Sequence, residues 1–161
     1  MPAQATYRNP VPTTDIIIEY NDGKKNGVIL IERKNPPYGR ALPGGFAEVG
    51  LSLEENAAKE AREETGLEIK LLNPEQPFCV HSHPGRDNRW DQQIFSITYI
   101  AKGSGKLAAG DDAIGAKVYS LTEIADLVEQ NGLAFDHGKT LTKYLATKGY
   151  TPFNQGFVRM D

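Results

Sequence analysis

The segment from Ser52 to Gly66 carries the clearest secondary-structure signals in this sequence, and the other elements must pack around it. Ser52 followed three residues later by Glu55 forms a capping box, in which each side chain bonds the other residue's backbone N–H. Gly66 supplies the left-handed conformation that ends many helices. The sequence therefore predicts a helix over Leu53–Thr65.

Strand-like segments surround this helix on both sides. Segments 14–20 and 28–31 are rich in β-branched residues and flank a turn containing Gly and Asn, which predicts a β-hairpin. Further strands are expected at 67–72, 78–82, 93–101 and 116–120, and further helices at 121–129 and 136–146. Runs of strands broken by a few helices predict an α/β fold with a mixed β-sheet between helices.

Length and composition are those of one ordinary globular domain. The chain has 161 residues, of which 39% are hydrophobic and 24% are charged, so a real core is expected. The net charge of −3 provides no bulk positive field for a nucleic acid or an anionic membrane. We expect neither as a partner. Residues 1–12, with three prolines, are interpreted as an N-terminal arm before a single domain at 13–161.

The cysteine count and the apolar runs bear on localisation. Cys79 is the single cysteine, so it cannot form an internal disulfide framework, which fits a reducing compartment. No apolar run approaches the ~18 to 20 residues of a membrane span, and the N-terminus lacks the pattern of a signal peptide. We expect a soluble, cytoplasmic protein.

The predicted helix combines an apolar stripe with a cluster of acids. At about 100° per residue, the stripe that should meet the sheet contains Leu53, Ala57 and Ala61. Three carboxylates converge at its rim: Glu60, Glu63 and Glu64. Lys59 and Arg62 are expected on the outer side. Glutamate-rich helices are commonly solvated faces, but like charges this close repel one another unless a cation binds among them.

A divalent cation would neutralise these acids. Carboxylate oxygens without His or thiolate favour Mg²⁺ or Mn²⁺ over zinc, and Mg²⁺ commonly also binds a substrate phosphate. The preceding Gly44 and Gly45 let the main chain approach both a metal and a phosphate closely. The sequence therefore predicts a metal site between this glycine pair and the helix.

Residues 45–67 resemble the Nudix box, G-x5-E-x7-R-E-U-x-E-E-x-G-U, where U is aliphatic. The resemblance implies a Nudix α/β/α sandwich over most of the chain. It also implies that the metal ligands are Glu60, Glu63 and Glu64, with the carbonyl of Gly45. Two positions depart from the pattern: Leu51 replaces the first glutamate, and Lys59 replaces the arginine. Because Lys lacks the planar fork of Arg, a Nudix-fold sensor that binds a nucleotide without cleaving it stays an alternative.

Nudix enzymes hydrolyse a nucleoside diphosphate linked to another moiety, so the resemblance implies a small nucleotide substrate. Three segments are similar to the ADP-ribose pyrophosphatase branch: RDNR at 86–89, AGDDA at 109–113 and AFDH at 134–137. They favour metal-dependent hydrolysis of ADP-ribose to AMP and ribose 5-phosphate. A house-cleaning hydrolase of nucleoside triphosphates or dinucleotides is the other enzymatic alternative. The family also implies a homodimer.

The resemblance suggests residues that contact the substrate. Arg86 and Arg89 could clamp pyrophosphate or ribose oxygens, and exposed hairpin arginines are the alternative. Gly44 would present its backbone to a phosphate. Arg40 occupies a position where the branch commonly has an aromatic residue, and it is counted as a substrate contact. Two aromatic side chains could stack on the adenine: Tyr38 and Trp90.

The general base has several candidates. Glu48 or Asp112 could assist activation of a water, since a carboxylate near bound metal is a suitable base. Where the branch frequently has a glutamate, two residues beyond Ala113, this chain has Gly115. Asp136 is expected as the N-cap of the last helix, and His137 is expected to be structural.

Overall fold

The computed structural model describes residues 9–87, 91–108, 113–153 and 156–159. The helices are α1 (Leu53–Thr65), α2 (Leu121–Glu129) and α3 (His137–Thr147). The strands are β1 (Val11–Asn21), β2 (Asn26–Arg33), β3 (Gly39–Ala41), β4 (Gly44–Phe46), β5 (Glu68–Leu71), β6 (Cys79–His81), β7 (Ile94–Ser104), β8 (Ala113–Tyr119), β9 (Tyr150–Phe153) and β10 (Gly156–Arg159).

The long strand β1 lies in the middle of a mixed sheet with the order β3-β2-β1-β7-β5. It runs parallel to β7 and antiparallel to β2, which confirms the predicted hairpin. β4 also pairs with β1, opposite Thr13, Thr14 and Asp15, while β2 pairs with β1 further along. β6 pairs with β7, and β8 pairs with β2. The site described below is built where β4 leaves β1.

The sheet is covered on both faces, as the α/β sandwich predicts. Ile16 and Ile18 of β1 pack in a cluster with α1, whereas Ile17 packs in a second cluster with α2 and α3. All three isoleucines are fully buried, because successive residues of a strand point to opposite faces and both faces are covered. Across the described ranges, no helix has the length and apolar character needed to span a membrane.

The helix α1 has the predicted bounds and the predicted caps. The Ser52 side chain accepts from the Glu55 N–H, the Glu55 side chain accepts from the Ser52 N–H, and Gly66 adopts a φ of 72°. Ala57 and Ala61 are fully buried against the sheet. Asn56 is also fully buried, and its Nδ2 donates to Thr14 Oγ1 at 2.8 Å. The capping signals are local, which is why they locate this helix correctly.

Four of the short strands were not predicted: β3, β4, β9 and β10. β3 and β4 have three residues each, and the β9–β10 hairpin falls in a segment for which no structure was predicted. Such elements form because a neighbouring strand offers hydrogen bonds, and a local pattern does not contain that information. β1 begins at Val11, so the last two residues of the predicted arm are strand. Residues 1–8 lie outside the described residues.

Candidate active site

A cleft of about 590 Å³ opens between β4, the acidic side of α1 and the start of α3. Its lining combines carboxylates, basic side chains, glycines and a few apolar groups. The lining residues are Thr13, Asp15, Arg33, Lys34, Asn35, Pro36, Leu42, Gly44, Gly45, Phe46, Glu60, Glu64, Arg86, Asp87, Ile94, Phe135 and His137. A lining that contains both acids and bases suits a bound metal and a bound anion together.

The predicted glycine pair and two of the predicted glutamates meet in this cleft. A Cβ at position 45 would lie 2.7 Å from the carboxyl carbon of Glu60, so only a glycine lets this carboxylate lie against the main chain. The Gly44 N–H donates to Glu64 Oε2 at 2.8 Å. A Cβ at position 44 would lie 2.1 Å from the carbonyl oxygen of Thr14. The paired glycines are therefore required by close packing.

Glu64 is a strongly perturbed acid of the cleft. Its side chain is buried, and burial raises the pKa of this carboxyl to about 8, opposed by the Gly44 hydrogen bond and reinforced by the charge of Glu60. A cation placed beside it would favour the ionised form instead. Burial of an acid at this cost is typical of a functional site.

Lys59 differs from its predicted outward orientation. Its Nζ donates to Glu63 Oε2 at 2.9 Å, and lies 3.3 Å from Glu48 and 4.0 Å from Glu60. Hydrogen bonding to Glu63, followed by that to Glu48 and the charge of Glu60, raises the pKa of Lys59. The helical projection failed here because a flexible four-carbon side chain can fold back along the helix. Arg62 does face outward, where it pairs with Glu68.

The lysine also explains the position of Glu63. This glutamate is half exposed and turned toward Lys59, one helical turn away. As a result, no three His, Cys, Asp or Glu side chains of the described residues form a metal cluster in this arrangement. Glu60 and Glu64 line the cleft, and Glu63 does not. The Lys59 ammonium pairs with these acids, and a bound cation would compete with it for their carboxylates.

The donors available at this wall fit a hard divalent cation. They are carboxylate oxygens of Glu60 and Glu64 and the main chain of Gly45, against which Glu60 packs. Mg²⁺ and Mn²⁺ prefer such oxygen ligands. Rotation of the exposed Glu63 side chain away from Lys59 would add another. The residues present therefore fit the metal that the sequence predicts.

Glu48 lies beside this wall but does not line the cleft. Its side chain is exposed and pairs with Lys59, which connects it to the other acids. Its backbone N–H donates to Asn56 Oδ1 at 3.2 Å, which fixes the loop that follows β4. Leu51, at the end of that loop, has 37% of its surface exposed.

Arg86 also lines the cleft, where it forms an ion pair with Asp136. Its Nε donates to Asp136 Oδ2 at 2.8 Å, and its second nitrogen donates to the other carboxylate oxygen. Burial opposes ionisation of Asp136, but the bonds and charge of Arg86 outweigh it and lower the pKa of this acid. Asp136 is the N-cap residue of α3 but makes no side-chain capping bond, contrary to the expectation.

Several sequence-predicted contacts fall elsewhere. Arg40 does not line the cleft, because strand alternation turns it toward β8, where its Nε donates to Tyr119 Oη at 2.8 Å. Tyr38 has 70% of its surface exposed and is also absent from the cleft lining. Four further candidates lie outside the described residues: Arg89, Trp90, Asp111 and Asp112.

The residues and spacing of this site match a known family. The NUDIX domain family model matches residues 10–144 of the chain. The chain belongs to the Nudix family. Its Nudix box runs from Gly45 at the end of the β1–β4 pairing to Leu67 after α1, so one contiguous segment builds the acidic wall.

Three Nudix proteins illustrate the similarity. An ADP-ribose pyrophosphatase from Methanocaldococcus jannaschii is 39% identical over 145 residues, which cover 88% of this chain and 77% of that protein. The crystal structure of a MutT/nudix family protein from Enterococcus faecalis has a TM-score of 0.66 and 28% identity, covering 87% of this chain and 62% of that one. A bifunctional NMN adenylyltransferase/ADP ribose pyrophosphatase from Francisella tularensis, complexed with AMP and a Mn ion, has a TM-score of 0.64 and 25% identity, covering 89% and 43%. This chain spans less than two thirds of either solved structure.

The Nudix cleft contains basic and aromatic residues that the sequence reasoning missed. Arg33 is the last residue of β2 and Lys34 follows it, and both line the cleft. The Arg33 guanidinium lies 4.5 Å from the ring centroid of Phe135. Phe135 adopts a φ of 55°, which is uncommon for a side chain of this size. An adjacent pair of basic residues at a strand end before a Pro-Pro turn is a signal that could have identified this wall.

Proposed function

We propose that this chain is a divalent-metal-dependent Nudix pyrophosphohydrolase that converts ADP-ribose to AMP and ribose 5-phosphate. The observation that carries the proposal is the packing of Glu60 and Glu64 against Gly45 and Gly44 in a cleft that Arg86 also lines. The choice of substrate is supported by the Methanocaldococcus relative, named an ADP-ribose pyrophosphatase, and by AMP and Mn in the Francisella structure.

The division of charge in the cleft suits a pyrophosphate. Glu60, Glu63, Glu64 and the Gly45 carbonyl would hold Mg²⁺ or Mn²⁺, which when bound neutralises phosphate charge and lowers the pKa of a coordinated water. Arg86 and the Arg33–Lys34 pair would neutralise the remaining phosphate charge from the other walls. The Gly44 N–H, now bonded to Glu64, is near enough to the cleft to turn to a phosphate oxygen.

The reaction is a hydrolysis that balances without a further reactant. A water oxygen bonds to one phosphorus, the bridging P–O bond breaks, and two monophosphates leave. The water must lose a proton to a base, and Glu48 or Asp112 is proposed for that role. Glu48 Oε2 lies 3.3 Å from Lys59 Nζ, and this ion pair holds the carboxylate beside α1.

Product analysis tests this function directly. The protein is incubated with ADP-ribose in Mg²⁺, in Mn²⁺ and in chelator, and the products are separated by chromatography. We expect metal-dependent AMP, and we expect Glu64→Gln to lose at least about 100-fold in kcat because it removes a metal-binding charge. Normal turnover by Glu64→Gln at saturating Mg²⁺ would contradict the metal-site assignment. Release of inorganic pyrophosphate from nucleoside triphosphates in a parallel panel would favour the house-cleaning alternative.

A nucleotide-binding sensor is the second candidate function. The bonding of Lys59 to Glu63, together with Leu51 in place of an acid, favours weaker metal binding than the full Nudix box would give. This candidate predicts that ADP-ribose raises the melting temperature while no AMP forms over hours.

We also propose that the chain works as a homodimer in the cytoplasm, with residues 13–161 as its single catalytic domain. The dimer is supported by the family, and the compartment by the free thiol of Cys79. Light scattering on the purified protein measures the mass: about 35 kDa supports a dimer, since the chain is 17.7 kDa.

A further inference from the structure

Three consecutive residues at the start of α3 each contact a different wall of the cleft: Phe135, Asp136 and His137. The first packs under Arg33, the second accepts from Arg86, and the third accepts from the backbone of Leu42. From the sequence, this segment was similar to the ADP-ribose pyrophosphatase branch, with Asp136 expected as an N-cap and His137 as a structural residue. The third contact reaches the loop that leads into the metal wall.

The bonding of His137 fixes the role of each ring nitrogen. The Leu42 N–H donates to His137 Nδ1 at 3.0 Å, and both residues are buried. Because Nδ1 accepts a hydrogen bond, the proton of the neutral imidazole sits on Nε2. Nε2 lies 3.5 Å from Asp15 Oδ1, and the Ser96 hydroxyl donates to the other oxygen of that acid. The ring is thus held between β1 and the Leu42 loop.

Segment 42–45 is anchored at successive positions. His137 holds Leu42, the Ile16 N–H donates to the Pro43 carbonyl at 2.9 Å, and the Gly44 N–H donates to Glu64. Asp15 pairs with Gly44 in the β1–β4 ladder, so the acid that faces His137 also borders the glycines. His137 is the anchor at the entry to this segment.

We propose that His137, oriented by Asp15, is a positioning residue that fixes segment 42–45 so that the Gly45 carbonyl and the Glu64 carboxylate face one metal ion. This inference rests on the proposed function, because it concerns the metal site that the function requires. Partners behind metal ligands commonly change metal affinity about 10- to 100-fold.

The test measures Mn²⁺ affinity by electron paramagnetic resonance without substrate, in the wild type, His137→Asn and His137→Gln. The amide oxygen of Asn can occupy the place of Nδ1 and accept the Leu42 N–H, whereas the longer Gln places its amide nearer Nε2. We expect Asn to stay within about threefold of the wild type and Gln to bind at least about tenfold more weakly. In ¹⁵N spectra of the wild type, His137 should show the Nε2-protonated tautomer.

Tyr144→Phe is the matched control on the same helix. It removes a hydrogen bond to Glu19 about two helical turns from His137, and should lower stability without changing Mn²⁺ affinity. Equal losses in His137→Asn and His137→Gln, in variants folded by circular dichroism, would reduce the effect to packing and overturn the proposal, as would no loss in either. A wild type that binds no Mn²⁺ would overturn both the metal site and this inference. Mn²⁺ binding without AMP formation would overturn the proposed activity alone.

Discussion

At the scale of single residues, the metal wall depends on what two positions lack. Gly45 lacks a side chain, so Glu60 can pack against the main chain. Leu51 lacks the charge that the Nudix box has there, and it lies exposed beside the N-terminus of α1. The first absence is required by geometry. The second lowers the negative charge near the site.

Restoring an acid at position 51 should tighten metal binding. Leu51→Glu adds a carboxylate at an exposed position, where one ion pair contributes about 0.2–1 kcal/mol, so the Mg²⁺ concentration for half-maximal activity should fall about 1.4- to fivefold. Leu51→Gln is the matched control, because it has the same length without the charge. Equal Mg²⁺ titrations for both variants would show that the negative charge does not act on the site.

The residue scale also shows what sequence could and could not predict of the site. Glu60, Glu64 and Gly45 were predicted together, because their spacing along one box determines where they lie. Arg33 and Phe135 are about a hundred residues apart in the chain, and only the folded sheet brings them together. The outward orientation predicted for Lys59 was wrong, because a helical projection gives the direction of a backbone position and not the place of a flexible side chain.

At the scale of elements, α3 is bonded to other elements at both of its ends. Its first turn contacts the cleft, and near its last turn Tyr144 and Lys148 each donate to Glu19 Oε1 of β1 at 2.7 Å. The sequence predicted α1 from its capping box and α2 from its helical spacing, both with the observed bounds, and α2 also begins with a capping box. It missed β3 and β4, whose three residues are strands because of their partners.

The Glu19 contacts should make stability depend on acid pH. Burial opposes ionisation of Glu19, but the bonds from Lys148 and Tyr144 outweigh it and lower its pKa. A lowered folded pKa contributes stability above the unfolded value, near 4.5, and that stability is lost as pH falls through the folded pKa. Glu19→Gln should therefore cost about 1–2 kcal/mol at pH 7, since it loses a charge-assisted bond.

Urea unfolding from pH 7 down to pH 3 checks this expectation. The difference between the wild type and Glu19→Gln should shrink below about pH 4.5. Glu75→Gln, at an exposed loop position, is a control that should track the wild type throughout. A difference that stays constant with pH would mean that packing, and not charge, connects α3 to β1.

At the scale of the whole molecule, metal binding and folding should be linked. The proposed ligands come from β4 and α1, which are adjacent only in the folded chain. A cation that binds the folded state alone stabilises it by about 2.7 kcal/mol at 100 times its Kd. For a chain of this size that corresponds to a rise in Tm of roughly 5–10 °C.

Calorimetry with Mn²⁺ and then with excess chelator measures this link. The chelator should return the Tm to its starting value, and Glu64→Gln should show a much smaller rise. A full rise in Glu64→Gln would place the stabilising ion elsewhere on the protein. Mn²⁺ without effect on the wild-type Tm would mean that the acidic wall does not bind it in the folded state.

The three contacts made by residues 135–137 constrain how the chain length can vary. One inserted residue in this turn would rotate the following side chains and move Arg33, Arg86 and Leu42 off their partners together. Surveys of engineered insertions should therefore find residues 135–137 intolerant of added length.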